Sequence, residues 1–142
     1  MTKFVGLFIV VAFASGCASA TEPRLSYEGH SSVLGVSPTV VEAVVTVRNT
    51  GSAVANIPTR HCPLWIAAFA TPERNGEPLW RSAGEQCVSI PMILPPIVVA
   101  PGDFIDFTVR ASLPASLNGK RVFLTMAVPN ASPVPVGQVL VK

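Results

Sequence analysis

Two histidines, one tyrosine and three cysteines are all that the 142 residues contain of these types, and charged residues make up only 13%. Each scarcity excludes something. Charge is about half of the roughly 25% usual in soluble domains, and the lysines and arginines are scattered. No basic stripe is present to follow a phosphate backbone, so nucleic acid is not an expected partner. A catalytic triad needs a histidine oriented by a carboxylate and facing a nucleophile. His30 lies in a polar stretch and His61 beside Cys62, and neither has that setting. There is no G-x-S-x-G elbow, H-E-x-x-H pair, Walker loop or G-x-G-x-x-G turn. Asp103 and Asp106 are the nearest approach to a glycosidase carboxylate pair. They read instead as a turn residue and a solvated strand position. The chain is therefore expected to be non-enzymatic, with no cofactor. Disorder is excluded from the other side, because 49% of the residues are apolar.

An apolar span of membrane length is also missing. "FVGLFIVVAFA" (residues 4–14) has eleven residues, whereas a spanning helix needs about 20. Behind Lys3 and ahead of small residues, it reads as the h-region of a signal peptide. The next residues, "ASGC" (14–17), resemble the bacterial lipobox. That resemblance implies cleavage before Cys17, a diacylglyceryl group on its thiol and acylation of the new amine. It divides the chain into a lipoprotein-type signal peptide at 1–16, a lipidated Cys17 with tether at 17–30, and one domain at 31–142. The expected location is the cell envelope, at the outer membrane or the periplasmic face. The membrane is then a partner through the lipid. Ala18 after Cys17 is compatible with the outer membrane, by resemblance to sorted lipoproteins. "ASA" (18–20) supports a competing route, ordinary cleavage before Thr21 to release a soluble periplasmic or secreted protein.

Either route removes Cys17 from thiol chemistry and leaves Cys62 and Cys87. An even pair in an oxidising compartment is expected to form a disulfide. The two lie 25 positions apart, a loop whose closure contributes roughly 3–4 kcal/mol if the bond is unstrained. A metal site is not expected. His61 and Cys62 are adjacent and would point to opposite faces of a strand, His30 is remote, and zinc takes about four ligands.

Against these scarcities stand 14 prolines and ten glycines, distributed between short runs of alternating polarity. In "TVVEAVVTVRNTGSA" (39–53), Val41, Ala43, Val45 and Val47 share one strand face, and Glu42, Thr46 and Arg48 lie on the other. "NTGS" supplies the following turn. "CPLWIAAFATPERNGEPLW" (62–80) reads as two strands, about Leu64–Ala70 and from Leu79, around an Asn-Gly loop. "VSIPMILPPIVVAPGD" (88–103) carries too many prolines for a central strand and is expected at an edge or in a crossing loop. In "PGDFIDFTVRA" (101–111), Ile105, Phe107 and Val109 oppose Asp106, Thr108 and Arg110. In "LNGKRVFLTMAV" (117–128), Val122, Leu124, Met126 and Val128 are inward and Arg121 and Thr125 outward. "VPVGQVLVK" (134–142) is a last strand, and a first is expected around 24–28. This pattern predicts an all-β, antiparallel sandwich of about seven to nine strands.

Trp65, inside an apolar strand, and Trp80, after the turn, are both expected in the core, where sandwiches commonly bury tryptophan. Recognition in such domains usually falls on surface loops. The candidate contact site is therefore the charged loop and its exit: Glu73, Arg74, Asn75, Gly76, Glu77, Trp80 and Arg81.

The order "VTVRNTGS", "RNGEPLWRS", "LPPIVVAPGDFIDFTV", "SLNGKRVFLTMAV" resembles the bacterial intracellular proteinase inhibitor (BsuPI-like) domain over about residues 40–128. The shared features are an N-x-G turn, a G-x-x-x-W motif (here Gly76 to Trp80, then Ser82), a P-G turn (Pro101-Gly102) and a late glycine turn (Gly119). The resemblance implies an immunoglobulin-like sandwich. It also implies inhibition of subtilisin-type serine proteases, the founding activity of that family. No reactive-loop residue carries over. Two functions are thus expected from the sequence: a non-catalytic binding or accessory domain displayed at the envelope by its lipid, with an envelope protein as partner, or an extracytoplasmic protease inhibitor.

Overall fold

Alternation in the residue pattern becomes alternation in burial along β2 (Thr39–Asn49), where Val41, Ala43, Val45 and Val47 are almost completely buried. The computed structural model describes residues 22–58, 64–82 and 95–142. The export segment 1–16, Cys17, His61, Cys62 and Cys87 lie outside the described residues, and so does the expected disulfide. No helix of the described residues is long and apolar enough to cross a membrane.

Nine strands are present among these residues, all paired antiparallel. One sheet has the order β1-β2-β7, from β1 (Leu25–Val36) and β7 (Phe104–Ser112) on either side of β2. The second has the order β5-β4-β8-β9, built from β4 (Trp65–Phe69), β5 (Trp80–Arg81), β8 (Arg121–Ala127) and β9 (Val134–Leu140). A small pair, β3 (Ala55–Ile57) with β6 (Ile97–Val99), forms the third sheet. A single 3-10 turn, Ala115–Leu117, links β7 to β8. The protein is an all-β sandwich. Of the proline-rich segment, the described residues 95–103 contribute one three-residue strand, β6, between Pro96 and Pro101.

The core lies between the inner faces of the two larger sheets. Val41, Ala43, Val45 and Val47 pack with Ile66 and Ala68 of β4, Val122, Leu124 and Met126 of β8, and Val136 of β9. Each fully buried aliphatic side chain contributes about 1.5–3 kcal/mol over an exposed one. On β9 the inward parity shifts, from Val134 and Val136 to Val139 and Val141. The cause is a bulge: Leu124 pairs with Gly137, and Thr125 with Pro135, leaving one extra residue on β9. Gly137 takes a φ of 113° there, a conformation that favours glycine.

Two features differ from the sequence expectation. β1 begins at Leu25, where a first strand is expected, but it runs on to Val36, so residues 25–30, given to the tether above, belong to the sheet. Its run Gly29-His30-Ser31-Ser32 has weak strand preference. It is held because every residue pairs across to β2, from Gly29 opposite Val45 to Ser32 opposite Glu42. Gly29 also closes the sandwich at this edge. A Cβ there would overlap the Pro135 carbonyl oxygen and lie 2.8 Å from Val136 Cγ1.

The second is the "NTGS" turn. Its glycine is not at a positive φ; a Cβ on Gly51 would instead collide with the backbone of Glu22 and Arg24. Its asparagine does more than turn the chain. Asn49 is fully buried, and its Nδ2 donates to Ala53 O (2.8 Å) and Val99 O (2.9 Å). Its Oδ1 accepts from Gly51 N (3.0 Å). One side chain therefore joins the end of β2, the turn after it and β6.

Candidate functional site

The loop between β4 and β5 leaves the sheet at Phe69 and returns at Trp80, and it is held against the sheet by Arg74. This residue sits at φ 53°, half-buried. Its Nε donates to Leu124 O (3.1 Å), one nitrogen of the fork to Pro72 O (2.7 Å) and the other to Gly137 O (3.3 Å). Leu124 and Gly137 are the pair at the β9 bulge. Arg74 thus satisfies carbonyls where the regular ladder is interrupted. Its guanidinium also lies 5.9 Å from the centre of the Phe123 ring. The rest of the loop stands free: Glu73, Asn75, Gly76 and Glu77 are exposed, and Gly76 takes φ 78° with open space around it.

Arg74 therefore belongs to the structural frame of the loop rather than to its free surface. Truncation to alanine removes three charge-assisted bonds in a partly solvated place. Stability is expected to fall by about 1 kcal/mol. The clearer effect is local: limited proteolysis with mass-spectrometric mapping should cut within 73–77 several times faster in the variant.

Strand parity decides the remaining residues. Ile66 and Ala68 face the core, so Trp65, Ala67 and Phe69 face outward. Val122, Leu124 and Met126 face inward as expected, so Phe123 and Thr125 lie on the outer face beside them. Register places Phe69 opposite Phe123 and Ala67 opposite Thr125. Trp65 is therefore not in the core. It is half-buried on the outer face, with the Arg81 guanidinium 4.2 Å from its ring centre, a close cation–π stack. Trp80 is partly buried and packs on the core.

The result is a strip along the outer face of β4 and β8. Trp65 under Arg81 forms one end, Phe69 and Phe123 beside Arg74 form the other, and Ala67 and Thr125 lie between them. Both of these small residues are buried, and the Thr125 hydroxyl has no hydrogen-bond partner among the described residues. β5 is fixed beside the strip by Ser82, whose Oγ accepts from Ile66 N (2.9 Å) while its own N–H donates to Ile66 O (2.8 Å). Of the residues named from the sequence, Arg74 and Arg81 converge on this outer face, whereas Trp80, opposite the inward Ala68, lies on the core side of β5. Glu73, Asn75, Gly76 and Glu77 form the exposed rim of the outer face. Sequence reasoning missed Phe69 and Phe123; the alternation in "WIAAF" and "RVFLTMA" was the available signal.

Elsewhere, Asp103 sits in the turn before β7, its N–H donating to Ala100 O (3.0 Å), and Asp106 accepts from Thr46 Oγ1 (2.6 Å) on an exposed face. An open cleft lies at the foot of β1, lined by Glu22, Pro23, Arg24, Thr50, Gly51 and Ser52, away from the aromatic strip. No group of metal-ligating side chains occurs among the described residues. Burial raises the Tyr27 phenol above its ordinary pKa.

No protein-family model matches the chain, and no curated protein matches it. A solved structure, the crystal structure of a Bordetella pertussis protein provisionally named ApaA, is similar over 85% of this chain and 94% of that one. Its sequence identity is 16% and its TM-score 0.40.

Proposed function

We propose that this is a non-catalytic binding domain, displayed at the bacterial cell envelope by a lipid on Cys17, that engages an envelope protein through the outer face of β4 and β8. The observation that carries the reading is the Trp65–Arg81 stack. Tryptophan and arginine are the residues most enriched at binding hot spots. Here they are pre-packed on a sheet, with an exposed loop at the rim, so little side-chain ordering would be lost on contact. The lipobox-like "ASGC" supports the anchor. Intact mass of the mature chain checks the lipid and its cleavage site.

Site-specific photo-crosslinking in cells tests the binding face. A crosslinker at Glu77 is expected to trap a discrete partner, and one at Ser32, on the other sheet, is not. Trp65→Ala or Arg81→Ala should each weaken capture by roughly thirtyfold, equivalent to about 2 kcal/mol. Equal yields from both positions, or capture insensitive to Trp65 and Arg81, would overturn the reading.

A second reading rests on the pinned loop. An exposed loop held to its sheet by Arg74 has the rigidity that a protease inhibitor needs to resist cleavage, and the BsuPI-like resemblance points to subtilisin-type enzymes. Inhibition titrations against such a protease decide it: no inhibition, together with rapid digestion within 72–78, removes the inhibitor reading.

A further inference from the structure

Among the described residues, β7 is paired on one side only, and β2 is its sole neighbour in the sheet. The ladder phase follows from the bonds that bracket it: Asn49 N donates to Asp103 O (3.0 Å), and Leu113 N donates to Thr39 O (2.8 Å). Odd-numbered residues of β7 therefore exchange bonds with β2. Phe104, Asp106, Thr108, Arg110 and Ser112 turn their N–H and C=O groups outward along the free edge. On the inner face, Ile105, Phe107, Val109 and Ala111 are only half-buried, whereas the facing row of β2 is fully buried. A bare nine-residue edge flanking thinly covered apolar side chains is a template for another strand.

The side chains on the outer face select that strand. Asp106 and Arg110 carry opposite charge at equal distance on either side of Thr108. We propose that a second copy of this chain pairs here, antiparallel, across a two-fold axis at Thr108. Asp106 then faces the partner's Arg110, Arg110 faces the partner's Asp106, and Thr108 meets the partner's Thr108. Every pair in this register joins residues whose N–H and C=O groups point outward. The inner face matches as well, with Phe107 opposite the partner's Val109. The two three-stranded sheets become one of six strands, β1-β2-β7-β7-β2-β1.

Other registers fail on the same residues. Centring on Asp106 or on Arg110 sets like charges directly opposite, which is destabilising. Centring midway between two even-numbered residues leaves Asp106 or Arg110 opposite an uncharged side chain. A slip of one residue brings outward-pointing groups against inward-pointing ones and flips the faces. Within each chain Arg110 also pairs with Glu42, and Thr46 donates to Asp106. In the proposed register charge alternates across the new junction, from Glu42 through Arg110 to the partner's Asp106.

Sedimentation velocity on the full chain in density-matched detergent tests the proposal. The wild type is expected to show a concentration-dependent dimer. Asp106→Arg and Arg110→Asp should each weaken it by about tenfold or more through like-charge contacts. An equimolar mixture of the two single variants should restore the dimer, and so should the double exchange D106R/R110D. Thr108→Pro should abolish association while circular dichroism stays unchanged, because it removes an N–H that β2 does not use. A wild-type chain that remains monomeric through the micromolar range overturns the proposal. A dimer indifferent to the charge exchanges also overturns it, and that outcome assigns the association to lipid or micelle.

Discussion

Replacing Asn49 by alanine is expected to lower stability by about 3–5 kcal/mol. The side chain is fully buried and makes three hydrogen bonds, two donated to the carbonyls of Ala53 and Val99 and one accepted from Gly51 N–H. Removing it strands those groups, and each unsatisfied buried group costs about 1–3 kcal/mol, with partial relief from relaxation or water. Backbone bonds add to the role of this position: Asn49 N–H reaches Asp103 O, and Gly102 N–H reaches Asn49 O (2.8 Å). The end of β2, the turn after it, β6 and the turn before β7 therefore share one residue. Urea unfolding followed by tryptophan fluorescence gives the difference directly. An aspartate at the same position adds a diagnostic. It keeps an acceptor for Gly51 N–H, but as a carboxylate it faces two carbonyls in a buried place. Its folded-state pKa would be raised, so its stability should be highest in acid and should fall as pH rises through the ordinary aspartate range. An alanine variant that loses less than about 1 kcal/mol would mean that water satisfies the Ala53 and Val99 carbonyls.

Gly29→Ala is the second substitution expected to have a large effect, about 2–4 kcal/mol. The new methyl would enter the space of the Pro135 carbonyl oxygen and Val136 Cγ1. The first of these is backbone and cannot rotate away. Relief requires β1 to draw back from β9, opening the edge where the two sheets meet. Overpacking of this kind costs about 1–3 kcal/mol and more where the obstacle is rigid. Gly76→Ala is the control. Its Cβ would meet nothing, and its cost, about 1 kcal/mol, comes from the positive φ alone. Amide exchange distinguishes the two mechanisms. Gly29→Ala should accelerate exchange in β1 and β9, while Gly76→Ala should leave both unchanged. Similar small losses at both positions would show that the β1–β9 junction yields without strain.

Periodicity exposed the strands that have one wet face and one dry face. β2 and β7 alternate strictly, β8 does so except at the buried Thr125, and their inward residues are Val41 to Val47, Ile105 to Val109, and Val122 to Met126. β3 was missed because three residues carry too little pattern. β1 was read too short because its glycines and serines weaken the local signal, and the strand persists through its ladder with β2. In the candidate site the difficulty was different. Trp65 has the composition of a core residue, and its position depends on one step of parity: Ile66 faces in, so Trp65 faces out. Whether β4 buries its odd or even residues is decided by the opposing sheet. Arg74 was equally opaque. Its place in a charged loop suggested solvent, but its donors turn back to a bulge about fifty positions further along the chain. Gly51 lies in the turn that "NTGS" predicts, but it is crowding by Glu22 and Arg24, invisible in the local sequence, that leaves no room for a side chain there.

The length of β1 sets a height. Twelve residues at about 3.3 Å each make the strand roughly 40 Å long. The chain reaches it from the Cys17 side at Leu25, and the far end is the hairpin into β2, where Leu34 and Val36 stand exposed. In a protein moored through Cys17, as proposed, the end of β1 nearer the mooring in sequence and this apolar tip would be separated by the length of the strand.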